Sequence, residues 1–321
     1  MQRRSIAFWL GAVVFLAAML AMTQLVRNEY PFFAGYVILQ FIVLAVAWSI
    51  LGGYAGSVNF GTNAFFGVGV YTAVLLVKAF GAPLPVQIAT AAVVGSLLGL
   101  GVGLLTLRMR GIFFSIATIA LAIIIETSIT NFRFVGGAAG IQLQRPPVTA
   151  PFDSYVKMLF FVQALLVVIA VAITRGIQNS RIGRGLHALR DDELAAECTG
   201  VPTLRLKLLA CVISGALMAA AGAPAAMYLQ YANPDSAFNL NYSVSVLAMA
   251  LIGGTAHWIG PVLGAVLLAS TQQYLAVTIS SEINLLVLGV MLVLFVVAAP
   301  KGIIGLVSRF TGKEMGKGGH A

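Results

Sequence analysis

Residues 30–77 read YPFFAGYVILQFIVLAVAWSILGGYAGSVNFGTNAFFGVGVYTAVLLV, 48 positions without a charged side chain. A bilayer's hydrocarbon core, about 30 Å thick, is crossed by roughly 20 helical residues at about 1.5 Å each. The run is therefore too long for one crossing and long enough for two, with Gly52-Gly53-Tyr54-Ala55-Gly56 as the interruption. A second run, 236–281, holds 46 charge-free residues and carries Gly253-Gly254 and Gly260-Pro261 near its middle. Six shorter runs, 5–26, 79–107, 111–125, 158–174, 208–234 and 283–300, give one crossing each. The pattern predicts an all-α, polytopic integral membrane protein of about ten spans, a single transmembrane domain over 1–321.

Composition agrees. Of 321 residues, 60% are hydrophobic and only 9% charged, against about 45–50% and 25% in soluble domains. So few charges cannot cover the surface of a soluble fold, which excludes soluble enzymes, disordered scaffolds and disulfide frameworks. The 34 glycines suit close helix contact in lipid. The formal charge of +9 does not point to nucleic acid, because no basic cluster alternates with aromatics in a soluble stretch. Cys198 and Cys211 have no metal-site spacing and read as inert reduced thiols. The uncharged stretch after Arg4 is longer than the roughly 7–15 residues of a signal-peptide core, so it reads as a retained first span.

Lysine and arginine set the orientation. With ten spans, one side receives the N-terminus, 108–110, 175–207 and the end from Lys301, which together hold 14 of the 19 basic residues. Arg27, Lys78, Arg133, Arg145 and Lys157 fall on the other. This places both termini in the cytoplasm, with a periplasmic loop at 131–157, a cytoplasmic loop at 175–207 and a polar tail at 306–321. The outer loop, with Gly136-Gly137, Gly140 and Pro146-Pro147, should be turn-rich. In the inner loop, 181–190 has helical composition and Asp191-Asp192-Glu193 stand where a second helix would begin, complementing its macrodipole. Gly200 and Pro202 then terminate it.

Catalysis finds no support. There is no His-Glu-x-x-His, Cys-x-x-Cys or Gly-x-Ser-x-Gly pattern, and Gly312-Lys313 lacks the rest of a Walker A loop. The chain is read as no enzyme, with no metal site and no cofactor of its own. A positive-inside connector accounts for the arginines of 175–207. It does not account for a short helical hairpin mixing Arg181, Arg184 and Arg190 with Asp191, Asp192, Glu193 and Glu197, which suits docking against another protein.

The glycine-rich stretch through Asn63 has two readings. Broken backbone at membrane depth is tolerated beside protein or a water-filled cavity, which would make Ser57, Asn59, Thr62 and Asn63 pathway-lining. A tight turn with packing glycines has the same composition. Glu126 is the acid inside an apolar run. It should face the bundle interior with a partner, as a pathway group or paired with Arg133, unless it snorkels to the interface. Gly95, Gly99 and Gly103 share a face of span 4 and read as a packing seam. Arg133, Arg145 and Lys157 could meet an acidic external partner or simply anchor at the interface.

Together these segments resemble the LivM-type permeases of bacterial branched-chain amino acid ABC importers. The resemblance lies in Gly53-Tyr-Ala-Gly56 with Gly61 and Ala64-Phe-Phe-Gly67, and in Arg110-Gly-Ile-Phe-Phe-Ser-Ile-Ala-Thr118 leading to Glu126. It continues through Gly136-Gly137 to Gly140-Ile141, Ser180-Arg-Ile-Gly-Arg184 through Gly200, Gly253-Gly254 to Gly264, and Pro300-Lys-Gly-Ile-Ile-Gly305. It implies a type II-like importer permease in the bacterial inner membrane, forming half of a translocation pathway. A paralogous permease, two cytoplasmic ABC ATPases that carry ATP and Mg, and a periplasmic binding protein would complete the importer. Arg181, Gly183, Arg184, Arg190, Asp191, Glu193, Glu197 and Gly200 become the ATPase-coupling segment. Ser57 and Asn63 stand where the family commonly has glutamine and histidine, and Ala256-His257 where it has Gly-Thr. Branched-chain or related small neutral amino acids are thus the expected substrates, with urea, short amides or another small polar solute as the alternative. An ion-coupled secondary transporter and a structural subunit without a pathway are the rival classes.

Overall fold

The computed structural model describes residues 2–106, 112–143, 148, 152–278, 289–291, 293 and 302–305. The chain opens with α1 (Gln2–Leu25), and the run 30–77 then divides as its glycines predict. Helix α2 (Tyr30–Trp48) passes into a π-helical turn, Ser49–Tyr54, and α3 (Thr62–Phe80) follows a non-helical link at 55–61. Next come α4 (Leu84–Thr106), α5 (Ile112–Thr130), two single 3-10 turns over 133–139 and the two-residue strand β1 (Ile141–Gln142). Helix α6 (Tyr155–Gln178) leads into the short pair α7 (Arg181–Asp191) and α8 (Glu193–Cys198). Then α9 (Thr203–Leu229), β2 (Tyr231–Ala232), α10 (Pro234–Ala237), α11 (Leu240–Gly253) and α12 (Ile259–Thr278) complete the described core.

Eight helical segments among the described residues are long and apolar enough to cross a membrane. Helix α12 stands where the sequence places a ninth, and the tenth, over 283–300, falls almost wholly outside the described residues. The molecule is a multi-pass, all-helical membrane protein.

Small residues set the packing. A Cβ on Gly95 would stand 2.5 Å from the Gly215 carbonyl oxygen, and one on Gly99 would stand 2.7 Å from that of Cys211. The predicted seam on α4 is therefore a backbone-to-backbone contact with α9, in which the missing side chain is what lets the helices meet. A Cβ on Gly264 of α12 would stand 1.9 Å from the Met249 carbonyl oxygen of α11. Around these seams the core is filled by Phe32, Tyr36, Trp48, Tyr54, Phe66 and Phe238, each essentially fully buried. Helices α1, α4 and α5 instead turn long apolar side chains outward, among them Val14, Leu97, Leu105, Ile112, Phe113 and Ile124. That is the surface a lipid-facing or subunit-facing helix needs.

Phe8 of α1 packs on Arg175 and Trp258, and Gly302 touches Gly254. The start of α1, the α7–α8 hairpin, the α11–α12 turn and residue 302 thus gather at one end of the bundle. At the other end, Lys78 Nζ donates to the Phe134 carbonyl at 2.5 Å. There β1 pairs antiparallel with β2, Ile141 opposite Ala232. This strap was not legible in a loop whose glycines signal only turns. Gly136, Gly137 and Gly140 all take positive φ, as such turns require.

Candidate functional site

The broken segment is held by hydrogen bonds to neighbouring protein groups. Trp48 Nε1 donates to the Asn59 carbonyl at 2.7 Å, and Gly61 N donates to Asn59 Oδ1 at 2.7 Å. Phe60 N donates to Thr118 Oγ1 at 3.2 Å, while Ser115 Oγ donates to the Val58 carbonyl at 2.8 Å. The link between α2 and α3 is thereby tied to α5, which gives part of its non-helical backbone protein partners. Asn59 is buried and holds the turn together. Thr62 is fully buried in the packing.

Asn63, next along, staples three elements. Its backbone N donates to Ser243 Oγ at 3.0 Å, its Nδ2 donates to the Phe238 carbonyl at 2.6 Å, and its Oδ1 accepts from Ser243 Oγ at 3.0 Å. It thus fixes the start of α3 against the α10–α11 break. Beside it lies a cavity of about 340 Å³ lined by Asn63, Ile119, Glu126, Asp235, Phe238 and Asn239. Of the five residues the sequence put on a pathway, the structure brings Asn63 and Glu126 together here. Asn59 and Thr62 do not line this cavity, and Ser57 lines another. Glu126 does not pair with Arg133: among the described residues the one ion pair is Lys207–Glu193.

Asp235 was missed because it served only as the boundary of a charge-free run. Its signal was local. Asn233-Pro234-Asp235 is a helix start, with Asn233 Oδ1 accepting from Asp235 N at 3.0 Å and proline in the first turn. A helix start inside an apolar stretch marks a broken span.

At the other end, the predicted hairpin is present with its caps. Ser180 Oγ accepts from Gly183 N at 3.3 Å, and Asp192 Oδ1 accepts from Leu194 N and Ala195 N at 2.9 and 3.1 Å. The second helix closes with Val201 N on the Ala196 carbonyl and Gly200 N on that of Glu197. Gly200 has φ +82° there, the left-handed position such a stop requires.

The predicted coupling residues divide into two sets. Arg181, Arg184, Asp191 and Gly200 are exposed and, among the described residues, make no side-chain bond that fastens the hairpin. Gly183, Arg190, Glu193 and Glu197 hold the hairpin in place. A Cβ on Gly183 would meet the Ile177 carbonyl at 2.3 Å. Arg190 Nη1 donates to the Gly53 carbonyl at 2.7 Å. Lys207 Nζ contacts Glu193 Oε1 at 2.6 Å, and Thr203 Oγ1 donates to Glu197 Oε1 at 2.7 Å. Under the hairpin, a cavity of about 570 Å³ is lined by Ser57, Arg190, Asp191, Asp192, Glu193 and Lys207.

Gln178 joins this end further, and nothing in the sequence flagged it. Its Oε1 accepts from Tyr54 Oη at 3.3 Å and from Trp258 N at 3.1 Å. The π-helical turn, the end of α6 and the α11–α12 turn thus meet on one oxygen. Tyr54 also stacks obliquely on His187, 5.2 Å between centroids. Burial, with the Arg190 charge beside it, holds the His187 imidazole below its usual pKa, while Asp191 pulls the other way.

Of the basic residues expected on the outer loop, Arg133 is exposed and Arg145 lies outside the described residues. Lys157 is a correction. It is buried in the first turn of α6, with its ammonium 5.6 Å from the centre of the Phe32 ring, so a cation–π contact inside the bundle replaces a surface anchor.

The described residues thus form a multi-pass helical bundle with polar cavities between its helices and a capped polar hairpin at one end. The chain matches the family described as "branched-chain amino acid transport system / permease component" over residues 30–296, and it belongs to that family. It is similar to the high-affinity branched-chain amino acid transport system permease protein LivM of Escherichia coli K12, 28% identical over 293 residues, covering 82% of this chain and 67% of that one. The LivM of Salmonella typhimurium LT2 is 27% identical over 289 residues, with the same coverage. The Escherichia coli K12 permease protein LivH is 23% identical over 282 residues, 83% of this chain and 91% of that one. No solved structure matches the chain.

Proposed function

We propose that this chain is the permease subunit of an ATP-driven importer for branched-chain or related small neutral amino acids, and that it forms half of the translocation pathway. The observation that carries the reading is the cavity where Asn63, Glu126 and Asp235 meet at the α10–α11 break. Amide and carboxylate groups at a broken span give a zwitterion's ammonium a partner inside the membrane. LivM and LivH, named for high-affinity branched-chain amino acid transport, support the substrate class.

In this reading the protein lies in the bacterial inner membrane, with the α7–α8 end and both termini in the cytoplasm. A paralogous permease completes the pathway. Two cytoplasmic ATPases, which hold the ATP and Mg, dock on Arg181, Arg184 and Asp191, and a periplasmic binding protein delivers solute at the end bearing Arg133. Because Glu193, Glu197 and Arg190 fasten the hairpin to α9 and to Gly53, its movement is passed to the spans as one rigid piece, a two-state element biased by the ATPases.

The test is uptake of labelled leucine by proteoliposomes holding the chain with its permease and ATPase partners and the binding protein. Glu126→Gln and Asn63→Ala should each lower uptake about tenfold or more, the scale of one lost charge-assisted contact. Leucine accumulation by this chain alone, under an ion gradient and without ATPases, would overturn the reading.

A further inference from the structure

The π-helical turn ends on Gly53 and Tyr54, and three separate elements press on that pair. From the hairpin, Arg190 Nη1 holds the Gly53 carbonyl, and the His187 ring lies obliquely against Tyr54. From the α11–α12 turn, Thr255 comes so near that a Cβ on Gly53 would stand 3.0 Å from its Cβ. From the end of α6, Gln178 Oε1 accepts the Tyr54 hydroxyl hydrogen. The same oxygen accepts from Trp258 N, so one carboxamide binds the π-helical turn to the α11–α12 turn.

Its place in the chain makes Gln178 more than a local tie. It is the last residue of α6, and Ser180, just beyond it, caps α7. The joint is stiff: Asn179 Nδ2 donates to the Arg175 carbonyl at 3.0 Å, and Ser180 Oγ donates to that of Ile177 at 2.7 Å. Rotation of the hairpin therefore carries the Gln178 side chain with it. On the receiving side, the α11–α12 turn is backbone packed on backbone, since a Cβ on Gly253 would stand 1.8 Å from the Gly260 carbonyl oxygen. Contacts this close transmit displacement rather than absorb it. Past Tyr54, the bonds of Val58 and Phe60 to Ser115 and Thr118 lead to α5, which carries Glu126. Asn63 stands in the first turn of α3 at the far end of the same link. Turns of the π type recur at functional sites, and this one lies between the hairpin and the acidic cavity.

We infer that Gln178 is a positioning residue for coupling: by holding the Tyr54 hydroxyl and the Trp258 amide on one oxygen, it clamps the π-helical turn to the base of the hairpin, so that displacement of the hairpin reaches the α2–α3 link and the acidic cavity. The inference rests on the ATP-driven reading and adds the residue through which motion leaves the hairpin. Gln178 acts here as an acceptor, a part that a carboxylate of the same length can also play and a hydrocarbon side chain cannot.

The test follows the link itself, in the full chain assembled with its permease and ATPase partners. Cys198→Ser removes the exposed native thiol, while Cys211 is buried. Val58→Cys, at a position 39% exposed, then reports on the link. Trapping the ATPases with ATP and vanadate should change the rate at which a small methanethiosulfonate labels Val58→Cys by about threefold or more. With Gln178→Leu added, ATP hydrolysis should continue and the two rates should become equal. Leucine imported per ATP should fall about tenfold, near the worth of one hydrogen bond. Gln178→Glu should restore both. Tyr54→Phe, which keeps the ring on His187 and removes the hydroxyl, should narrow the labelling difference in the same direction.

A labelling difference that survives Gln178→Leu would overturn the inference. If Gln178→Leu does not accumulate as folded protein, Tyr54→Phe decides, and a difference equal to that of the parent overturns it. Failure of Gln178→Glu to rescue would mark a packing role and also overturn it, as would a parent Val58→Cys whose labelling ignores ATP. An ATP-dependent difference that Gln178→Leu abolishes, in a complex that imports no leucine, would count against the proposed substrate and leave the clamp in place.

Discussion

At the scale of single residues, the polar groups inside the bundle are the ones whose removal separates packing from function. Gln163 of α6 is fully buried, and neither its Oε1 nor its Nε2 has a hydrogen-bond partner. Leaving such an amide unsatisfied costs about 1–3 kcal/mol. Gln163→Met, of similar volume, should therefore raise the unfolding temperature of the detergent-solubilised chain, and a lower temperature would show that the amide has a role the packing does not reveal. His187 gives a pH-dependent counterpart. Its folded pKa lies below the ordinary value of about 6.5, because burial and Arg190 oppose the charged ring. The unfolded chain then takes up its proton first as pH falls. The stabilisation is complete above about pH 6.5 and is lost as acidification proceeds toward the folded pKa. A melting curve should shift downward between about pH 7 and about pH 5, and His187→Asn should flatten that part of the dependence.

Elements were legible where period, charge and caps all pointed one way. The two long charge-free runs divided at their glycines, and the α7–α8 hairpin formed with Asp192 and Gly200 at the two ends of α8, because a cap is a local interaction carried by adjacent residues. The candidate site was legible only in part. Asn63 and Glu126 share a cavity, but Asp235 reaches it through a break in the span, and Gln178 joins segments 80 and 124 residues away from it. Contacts of that range leave no periodic trace. Lys157 was misread for a related reason, since a lysine beside a loop does not announce an aromatic ring from another helix. The seams make a sharper prediction. Gly95→Leu should prevent accumulation of folded protein, because its Cβ alone would stand 2.4 Å from Ala219 Cβ. Gly101→Ala, on the same helix with nothing within 4 Å, should be neutral or stabilising by up to about 1 kcal/mol. In the hairpin, Lys207→Met should destabilise by about 2 kcal/mol, less than the 3–5 of a fully enclosed pair, because the Glu193 side chain is 27% exposed. Lys207→Met with Glu193→Leu should recover most of the loss in thermal unfolding.

For the molecule as a whole, the division of charge between the two ends is its address in the membrane. Helix α6, 24 residues long, separates the loop bearing Arg133 from the hairpin bearing Arg181. Reporter fusions at Ala138 and at Ala195 should therefore give opposite results, an exported phosphatase active only at the first and a fluorescent protein folding only at the second. Equal activity of one reporter at both positions would remove the orientation assigned to the chain. Trp48 has a further consequence. It is 1% exposed, fills the space over Gly52 and donates its indole hydrogen to Asn59. The chain has two other tryptophans, Trp9 at its lipid-facing edge, 55% exposed, and Trp258 in the α11–α12 turn. With those two replaced by phenylalanine, the light emitted by Trp48 would come from the kink itself. The protein would then carry a built-in optical gauge whose colour tracks that buried bond through the working cycle without an added dye.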